Sequence, residues 1–342
     1  MPMAAQLTAR LRRNALGFGG APLGNLFRAI PDDDAVALVR HAHAADVRYF
    51  DTAPHYGNGL SEGRIGRALN GVARDTYLLS SKVGRILVPD RAARRGQNGY
   101  VDVLPFKQRW DYSSDGTLRS IEDSLQRIGA SRLDIVYIHD IDRDTHGAAY
   151  AQRFEQVLAG AIPALARLRD GGLIGGFGLG VNDWRVCVDV LARADVDALL
   201  LAGRYTLLDQ TALRELLPLC ERRGVAIVIG GPYNSGILAT GAHPADGSLP
   251  YFNYAPAPPA LVARVAAIEA VGAEFDVPLR AAALQFPRGH PAVVSVIPGA
   301  RTIAEFDQNL AFATWPVPAA FWQALRDRGL IAPDAPLPGP SS

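Results

Sequence analysis

Cysteine is scarce: the chain has two, Cys187 and Cys220, in 342 residues. Two thiols cannot build a disulfide framework, so the chain reads as a protein of a reducing, cytoplasmic compartment. An excess of either charge is also missing. Lys and Arg number 35 against 34 Asp and Glu, a net of +1, without the basic excess or stripe of a nucleic-acid surface. No apolar run approaches the roughly 20 residues of a membrane helix. Arg10, Arg12 and Arg13 near the N-terminus have no apolar stretch behind them, so this end does not read as a secretory signal. There is no phosphate-cradling G-x-x-x-x-G-K-[ST] loop and no nucleophile elbow. Nucleic acids and membranes are not expected partners; a small molecule is.

What is present suits a large core. Hydrophobic residues make up 49% and charged residues 20%. Short β-branched apolar runs alternate with longer segments of helical spacing. The strand candidates are Asp46–Thr52, Thr76–Lys82, Leu133–His139, Gly176–Val181, Asp197–Ala202, Val225–Ile229 and Val293–Ile297, with Asn14–Gly17 a weaker first. Helical patterns fall between them, at Asp32–Ala44, Ser61–Leu69, Ser114–Ile128, Phe154–Leu168, Trp184–Ala194, Gln210–Arg222, Leu261–Phe275 and Thr302–Leu310. Strands alternating with helices predict a parallel sheet with crossover helices. Eight such units predict an α/β fold, a (β/α)8 TIM barrel with long strand-to-helix loops at its C-terminal face. An open doubly wound sheet competes, but Gly17-Phe18-Gly19-Gly20 lacks the third glycine of a dinucleotide fingerprint, where Pro22 stands. The expected organisation is one barrel domain over 1–331 and a Pro-rich tail over 332–342, extended on the surface or frayed.

Two strand-to-helix connections are long, Val83–Ser113 and Gly230–Pro259, and long loops of this kind tend to be functional. Four consecutive strands deliver polar side chains to that rim: Asp51 with Tyr56 just beyond it, then Lys82, His139 and Asn182. A lone Asp or Lys there would be costly, whereas an opposed pair is tolerable. Lys82 argues against a metal held by Asp51, His55, His139 and Asp140, and no paired-His zinc motif exists. Tyr beside Lys suggests proton transfer. An ammonium about 4 Å away in an effective dielectric near 20 favours tyrosinate by roughly 4 kcal/mol, which predicts Tyr56 close to working pH. Asp51 would hold Lys82, and His139 would hydrogen-bond the reacting oxygen. Removing an alcohol proton is half of an oxidation, and the hydride needs a nicotinamide cofactor.

Tyr49-Phe50-Asp51-Thr52-Ala53-Pro54-His55-Tyr56-Gly57, Ser80-Ser81-Lys82-Val83-Gly84-Arg85, Tyr137-Ile138-His139-Asp140 and Ile297-Pro298-Gly299-Ala300-Arg301 with Gln308-Asn309 resemble the signature segments of the aldo-keto reductase superfamily. The likeness runs from about Leu16 to the C-terminal helix. It implies Asp51, Tyr56, Lys82 and His139 as a catalytic tetrad, and an extended nicotinamide dinucleotide. Gly17–Leu26, Asp111–Gly116 and Glu122–Gly129 are similar to the bacterial aldose dehydrogenase branch, which includes L-fucose dehydrogenases, D-threo-aldose 1-dehydrogenases and pyridoxal 4-dehydrogenases.

That resemblance implies oxidation of an aldose (L-fucose, L-galactose or D-arabinose type) to its lactone. Oxidation of pyridoxal is the alternative. A non-catalytic cofactor-binding regulatory protein is a third reading, against which the intact tetrad weighs. Implied cofactor contacts are Gly19, Gly20, Asp51, Asn182, Pro232, Asn234, Ser235, Gly236, Leu238, Gly299, Arg301, Glu305, Gln308 and Asn309, the 234–238 run through backbone N–H groups. The family's Gln three residues before Tyr205 is Ala202 here. Its stacking aromatic after the seventh strand is Gly230, leaving Tyr233 as a contributor. Gly299 and Glu305 stand where relatives preferring a 2′-phosphate carry Lys and Arg, whereas Arg301 suits phosphate. NAD is expected, with NADP tolerated. His55, Trp110, Tyr112 and Phe27 are the candidates for contact with a sugar or pyridoxal-like substrate, and no metal is expected.

Overall fold

The computed structural model describes residues 3–93, 96, 98–245 and 247–339. Eight parallel strands form one sheet in sequence order: β1 Phe18–Gly19, β2 Tyr49–Asp51, β3 Leu78–Val83, β4 Ile135–His139, β5 Gly176–Val181, β6 Ala198–Ala202, β7 Ala226–Gly230 and β8 Val293–Ile297. Bridges from Leu16 to Val296 and from Gly19 to Gly299 bring β1 against β8 and close the cylinder. The (β/α)8 barrel is therefore the fold. β2 to β8 are almost wholly buried, because helices cover them outside and side chains fill them inside.

The expected first strand, Asn14–Gly17, sits too early. Asn14 instead closes a helix over Met3–Arg13, with its amide Nδ2 donating to the Arg10 carbonyl at 2.8 Å. The sequence reading had missed this helix. Its Leu7 and Leu11 are buried with Tyr49, Leu78, Ile135 and Tyr137 of the barrel interior, and so stopper the end opposite the strand C-termini. The helix expected at Phe154–Leu168 runs from Tyr150 to Asp170 with a π-turn at Val157–Ala161. Gly160 in that turn passes the backbone of Tyr112 and Ser113 so closely that a Cβ would lie 2.7 Å from the Tyr112 carbonyl. The helix expected at Gln210–Arg222 begins only at Leu216, since the Gln210 side chain folds back to the Thr206 carbonyl at 2.6 Å.

Both long loops carry hairpins. Arg85–Pro89 pairs antiparallel with Phe106–Trp110, and Tyr251–Phe252 with Ala255–Pro256. In the C-terminal segment residues 332–339 are pinned rather than frayed. Arg326 donates to the Ala335 carbonyl at 2.7 Å, Arg214 pairs with Asp334 at 3.0 Å, and Ala335 is fully buried. Residues 340–342 lie outside the described residues. Cys187 and Cys220 are free and buried. No helix among the described residues is long and apolar enough to cross a membrane.

Candidate active site

The C-terminal strand ends place Asp51, Lys82 and His139 side by side, and the turn after β2 adds Tyr56. That turn is held by Tyr56 N–H to the Ala53 carbonyl at 3.1 Å and Leu104 N–H to the Gly57 carbonyl at 3.1 Å. Gly24 packs directly on its backbone: a Cβ there would lie 2.4 Å from the Tyr56 carbonyl carbon. A side chain at Gly24 would push Tyr56 out of place.

Lys82 and Asp51 are 1% and 2% exposed at their side chains, and their Nζ–Oδ2 distance is 2.7 Å. Lys82 also donates to the Thr52 carbonyl at 2.9 Å, and Ser80 Oγ donates to the other Asp51 oxygen at 2.6 Å. Burial pushes the Asp51 carboxyl above its usual range, and Lys82 pulls it back. The ammonium stands over the Tyr56 ring, 4.6 Å from its centroid.

The sequence argument predicted that Lys82 would lower the Tyr56 phenol. The structure shows the opposite balance. Burial raises it well above the ordinary phenol range, Asp51, Tyr254 and Asp140 push the same way, and Arg85 opposes them. In the free enzyme Tyr56 is therefore a protonated phenol. His139 is held well below the ordinary imidazole value by burial first, then by Arg85, Lys82 and His55. It is neutral, and its buried Nδ1 has no partner among the described residues.

Tyr56 joins two spaces. One is a small cavity lined by His55, Tyr56, Lys82, Asn98, Tyr100, His139, Asp140, Asn182 and Tyr254, among others. The other is a trench of about 1360 Å³, partly open to solvent, running from Asp51 and Tyr56 past Gly230–Gly236 to Arg280, Gly299, Arg301, Glu305 and Asn309.

Most residues expected at a cofactor line the trench: Gly19, Asp51, Pro232, Asn234, Ser235, Gly236, Gly299, Arg301, Glu305 and Asn309. Asn182 lines the cavity instead. Three do neither. Gly20 lies beneath the surface, its N–H on the Asp51 carbonyl and its own carbonyl accepting from Ser61 Oγ. Leu238 is fully buried, and Gln308 is exposed and tied to Arg280. The N–H groups of Asn234, Gly236 and Leu238, expected to face an anion, each bond a carbonyl of their own turn.

Of the substrate candidates, His55 lines the cavity. It too is neutral, lowered by burial and Arg85. Asn98 Nδ2 lies 3.2 Å from its Nε2 and Gln108 Oε1 lies 3.0 Å from its Nδ1, so Nδ1 carries the proton. Trp110 and Tyr112 do not reach the cavity. Tyr112 is fully buried and its hydroxyl donates to the His139 carbonyl at 2.7 Å. Trp110 lies under the Arg85 guanidinium at 4.0 Å. Phe27 is 45% exposed, at the trench rim, with its ring 6.3 Å from that of Tyr254.

Sequence reasoning missed Tyr100, Asn98 and Tyr254, and it weighed Asp140 only as a metal ligand. All four line the cavity. The His139-Asp140 adjacency at a strand end was the one available signal. The others sit in loops whose course no periodicity reports.

A trench lined by glycine backbone, with Arg301 Nε buried and lacking a partner among the described residues, fits an extended anionic ligand such as a nicotinamide dinucleotide. Comparisons with known proteins agree. Residues 15–328 match the aldo/keto reductase family, whose members bind NAD(P). The chain is 42% identical to pyridoxal 4-dehydrogenase of Microbacterium luteolum, covering 93% of this chain and 94% of that one. It is 38% identical to D-threo-aldose 1-dehydrogenase of a Pseudomonas species, covering 96% and 97%. The holo structure of an aldo-keto reductase from Bacillus halodurans superposes with a TM-score of 0.69 at 25% identity, covering 92% and 91%. The chain belongs to the aldo/keto reductase family and is an oxidoreductase.

Proposed function

We propose that this protein is an NAD(P)-dependent aldose 1-dehydrogenase, oxidising the anomeric carbon of an aldose of the L-fucose, L-galactose or D-arabinose type to the lactone. The observation that carries the reading is a cavity walled by hydrogen-bonding side chains, His55, Asn98, His139 and Asp140, that meets a long trench at Tyr56. Polar groups converging beside a proton-transfer residue suit a polyhydroxylated substrate. Bound in the trench, the nicotinamide would supply the hydride acceptor that no side chain provides.

The chain's own residues do the rest. His139, neutral and protonated on one nitrogen, donates a hydrogen bond to the anomeric oxygen. Tyr56 takes the anomeric hydroxyl proton as the C1 hydrogen leaves with its electron pair, and C–O becomes C=O. Lys82, held by Asp51, stabilises the tyrosinate that must form first, by loss of the phenol proton to solvent, before Tyr56 can accept the substrate's proton. Gly19, Pro232, Ser235, Gly236, Gly299 and Asn309 would line the dinucleotide, and Tyr233, fixed by donating to Asn309 Oδ1 at 2.6 Å, would flank it.

NAD is the better partner. Glu305 lines the trench and accepts the Arg301 N–H at 2.8 Å; its carboxylate would accept hydrogen bonds from ribose hydroxyls and repel a 2′-phosphate. Arg301 allows NADP as the weaker cofactor. Two buried free thiols support a reducing, cytoplasmic compartment as the protein's location.

Pyridoxal is the second reading, favoured by Tyr100, which lies nearly parallel to Tyr56 at 6.0 Å and offers a flat ring a stacking wall. A panel of L-fucose, L-galactose, D-arabinose and pyridoxal, each with NAD and NADP, separates the two. The proposal expects kcat/KM at least tenfold higher for one aldose than for pyridoxal, and higher with NAD. Turnover of pyridoxal alone would replace it with the second reading.

A further inference from the structure

A largely buried carboxylate is costly unless something holds it there. Asp140 is 8% exposed and lies directly after His139 in the left-handed backbone region, at φ 47°. Its N–H is tied to the Gly180 carbonyl at 3.0 Å. Arg85 grips Asp140 Oδ2 at 2.5 Å, and is itself held by Gln108 Oε1 at 2.8 Å and by the Trp110 ring. The Arg85 and His139 contacts to Asp140 both fall on Oδ2. The guanidinium thus stands behind the carboxylate, and Asp140 itself lines the cavity next to His139 and Tyr56. Burial raises the carboxyl and Arg85 opposes that rise.

Asp140 Oδ2 lies 3.4 Å from His139 Nε2. A neutral imidazole beside a carboxylate keeps its proton on the nearer nitrogen. The cavity therefore presents one donor and one acceptor side by side, about a hydrogen-bond length apart. Neighbouring hydroxyl oxygens on a sugar ring have the same spacing. At 3.4 Å the Nε2–H is only weakly engaged by Oδ2, so one hydroxyl can accept from it while the next donates to Asp140.

We propose that Asp140 is the specificity-determining residue of this site: its carboxylate accepts the hydroxyl on the carbon adjacent to the one oxidised, selecting substrates with a vicinal diol. The inference rests on the aldose reading above. A sugar lacking that hydroxyl leaves a buried carboxylate oxygen without a partner, which is where a polar site discriminates most strongly.

The test uses an aldose that the enzyme oxidises and its 2-deoxy analogue, of which D-arabinose and 2-deoxy-D-ribose are one pair. The wild type should prefer the parent sugar by roughly 10–100-fold in kcat/KM, the range of one hydrogen bond to a charged group. In Asp140→Asn the parent should lose about that factor and the analogue should change less than about threefold, so that the preference collapses. NADH binding, followed by fluorescence, should be unchanged and reports that the variant is folded. If the unpaired Arg85 charge prevents folding, Arg85→Gln/Asp140→Asn removes both charges and should show the same collapse. A wild type that turns over both sugars equally, or a folded variant that loses both equally, would overturn the proposal alone. Failure to oxidise any aldose would overturn the aldose reading with it.

Discussion

Changing Tyr56 to phenylalanine should lower turnover by roughly 10²–10⁴-fold, the usual contribution of a placed acid or base, with NADH binding unchanged within about twofold. The ring remains, so the contact with the Lys82 ammonium at 4.6 Å and the near-parallel packing on Tyr100 are kept. Only the hydroxyl of this residue, which lines both cavity and trench, is lost. The pH dependence sharpens the expectation. Oxidation needs Tyr56 to accept a proton, and its phenol is raised chiefly by burial. Wild-type oxidation should therefore climb with pH from neutrality into the alkaline range, approaching tenfold per pH unit, as the small tyrosinate fraction grows. The residual rate of the phenylalanine variant should lack that climb. Steady-state rates followed at 340 nm across the pH range check both. A variant retaining most of its turnover with the same pH slope would remove Tyr56 from the chemistry.

The second large effect is on stability. Lys82 and Asp51 are both almost fully buried and face each other at 2.7 Å. Removing one partner of such a pair leaves an uncompensated charge in the interior, which costs about 3–5 kcal/mol. Asp51→Asn should accordingly lower the denaturation midpoint sharply and reduce activity, since Lys82 then keeps only the Thr52 carbonyl. The double variant Asp51→Asn/Lys82→Met removes both charges and should regain most of the lost stability, because paired buried ions are often no better than apolar residues of similar volume. Its turnover should stay lost. Denaturant unfolding with parallel rate measurements reads both quantities. A double variant as unstable as the single one would show that the pair is not the source of the loss.

The barrel and the four strand-end side chains were legible because each rests on a short, regular pattern. A buried parallel strand is a brief apolar run, and its last residue necessarily points to the C-terminal rim, as Asp51 and His139 do. The first strand was less legible, since Phe18–Gly19 is two residues long and Asn14 belongs to the helix before it. Much of the cavity wall was hidden for a different reason. Asn98 and Tyr100 belong to the 83–113 connection and Tyr254 to the 230–259 connection, and each reaches the site only through a loop hairpin. Their pairing depends on contacts distant in sequence, such as Arg85 with Trp110. Aromatic character in those loops was visible, but it drew attention to Trp110 and Tyr112. Those two act from behind, under Arg85 and beneath His139. The sign of the Tyr56 shift was misjudged because the sequence supplies Lys82 as a neighbour but says nothing of how completely the phenol is enclosed.

The C1 hydrogen of an aldose is expected to leave as hydride beside Tyr56. The most direct test is turnover of an aldose deuterated at C1, followed by mass analysis of the nicotinamide product. The account predicts reduced cofactor carrying the deuterium. Unlabelled reduced cofactor, with the deuterium kept in the product or released to water, would contradict it.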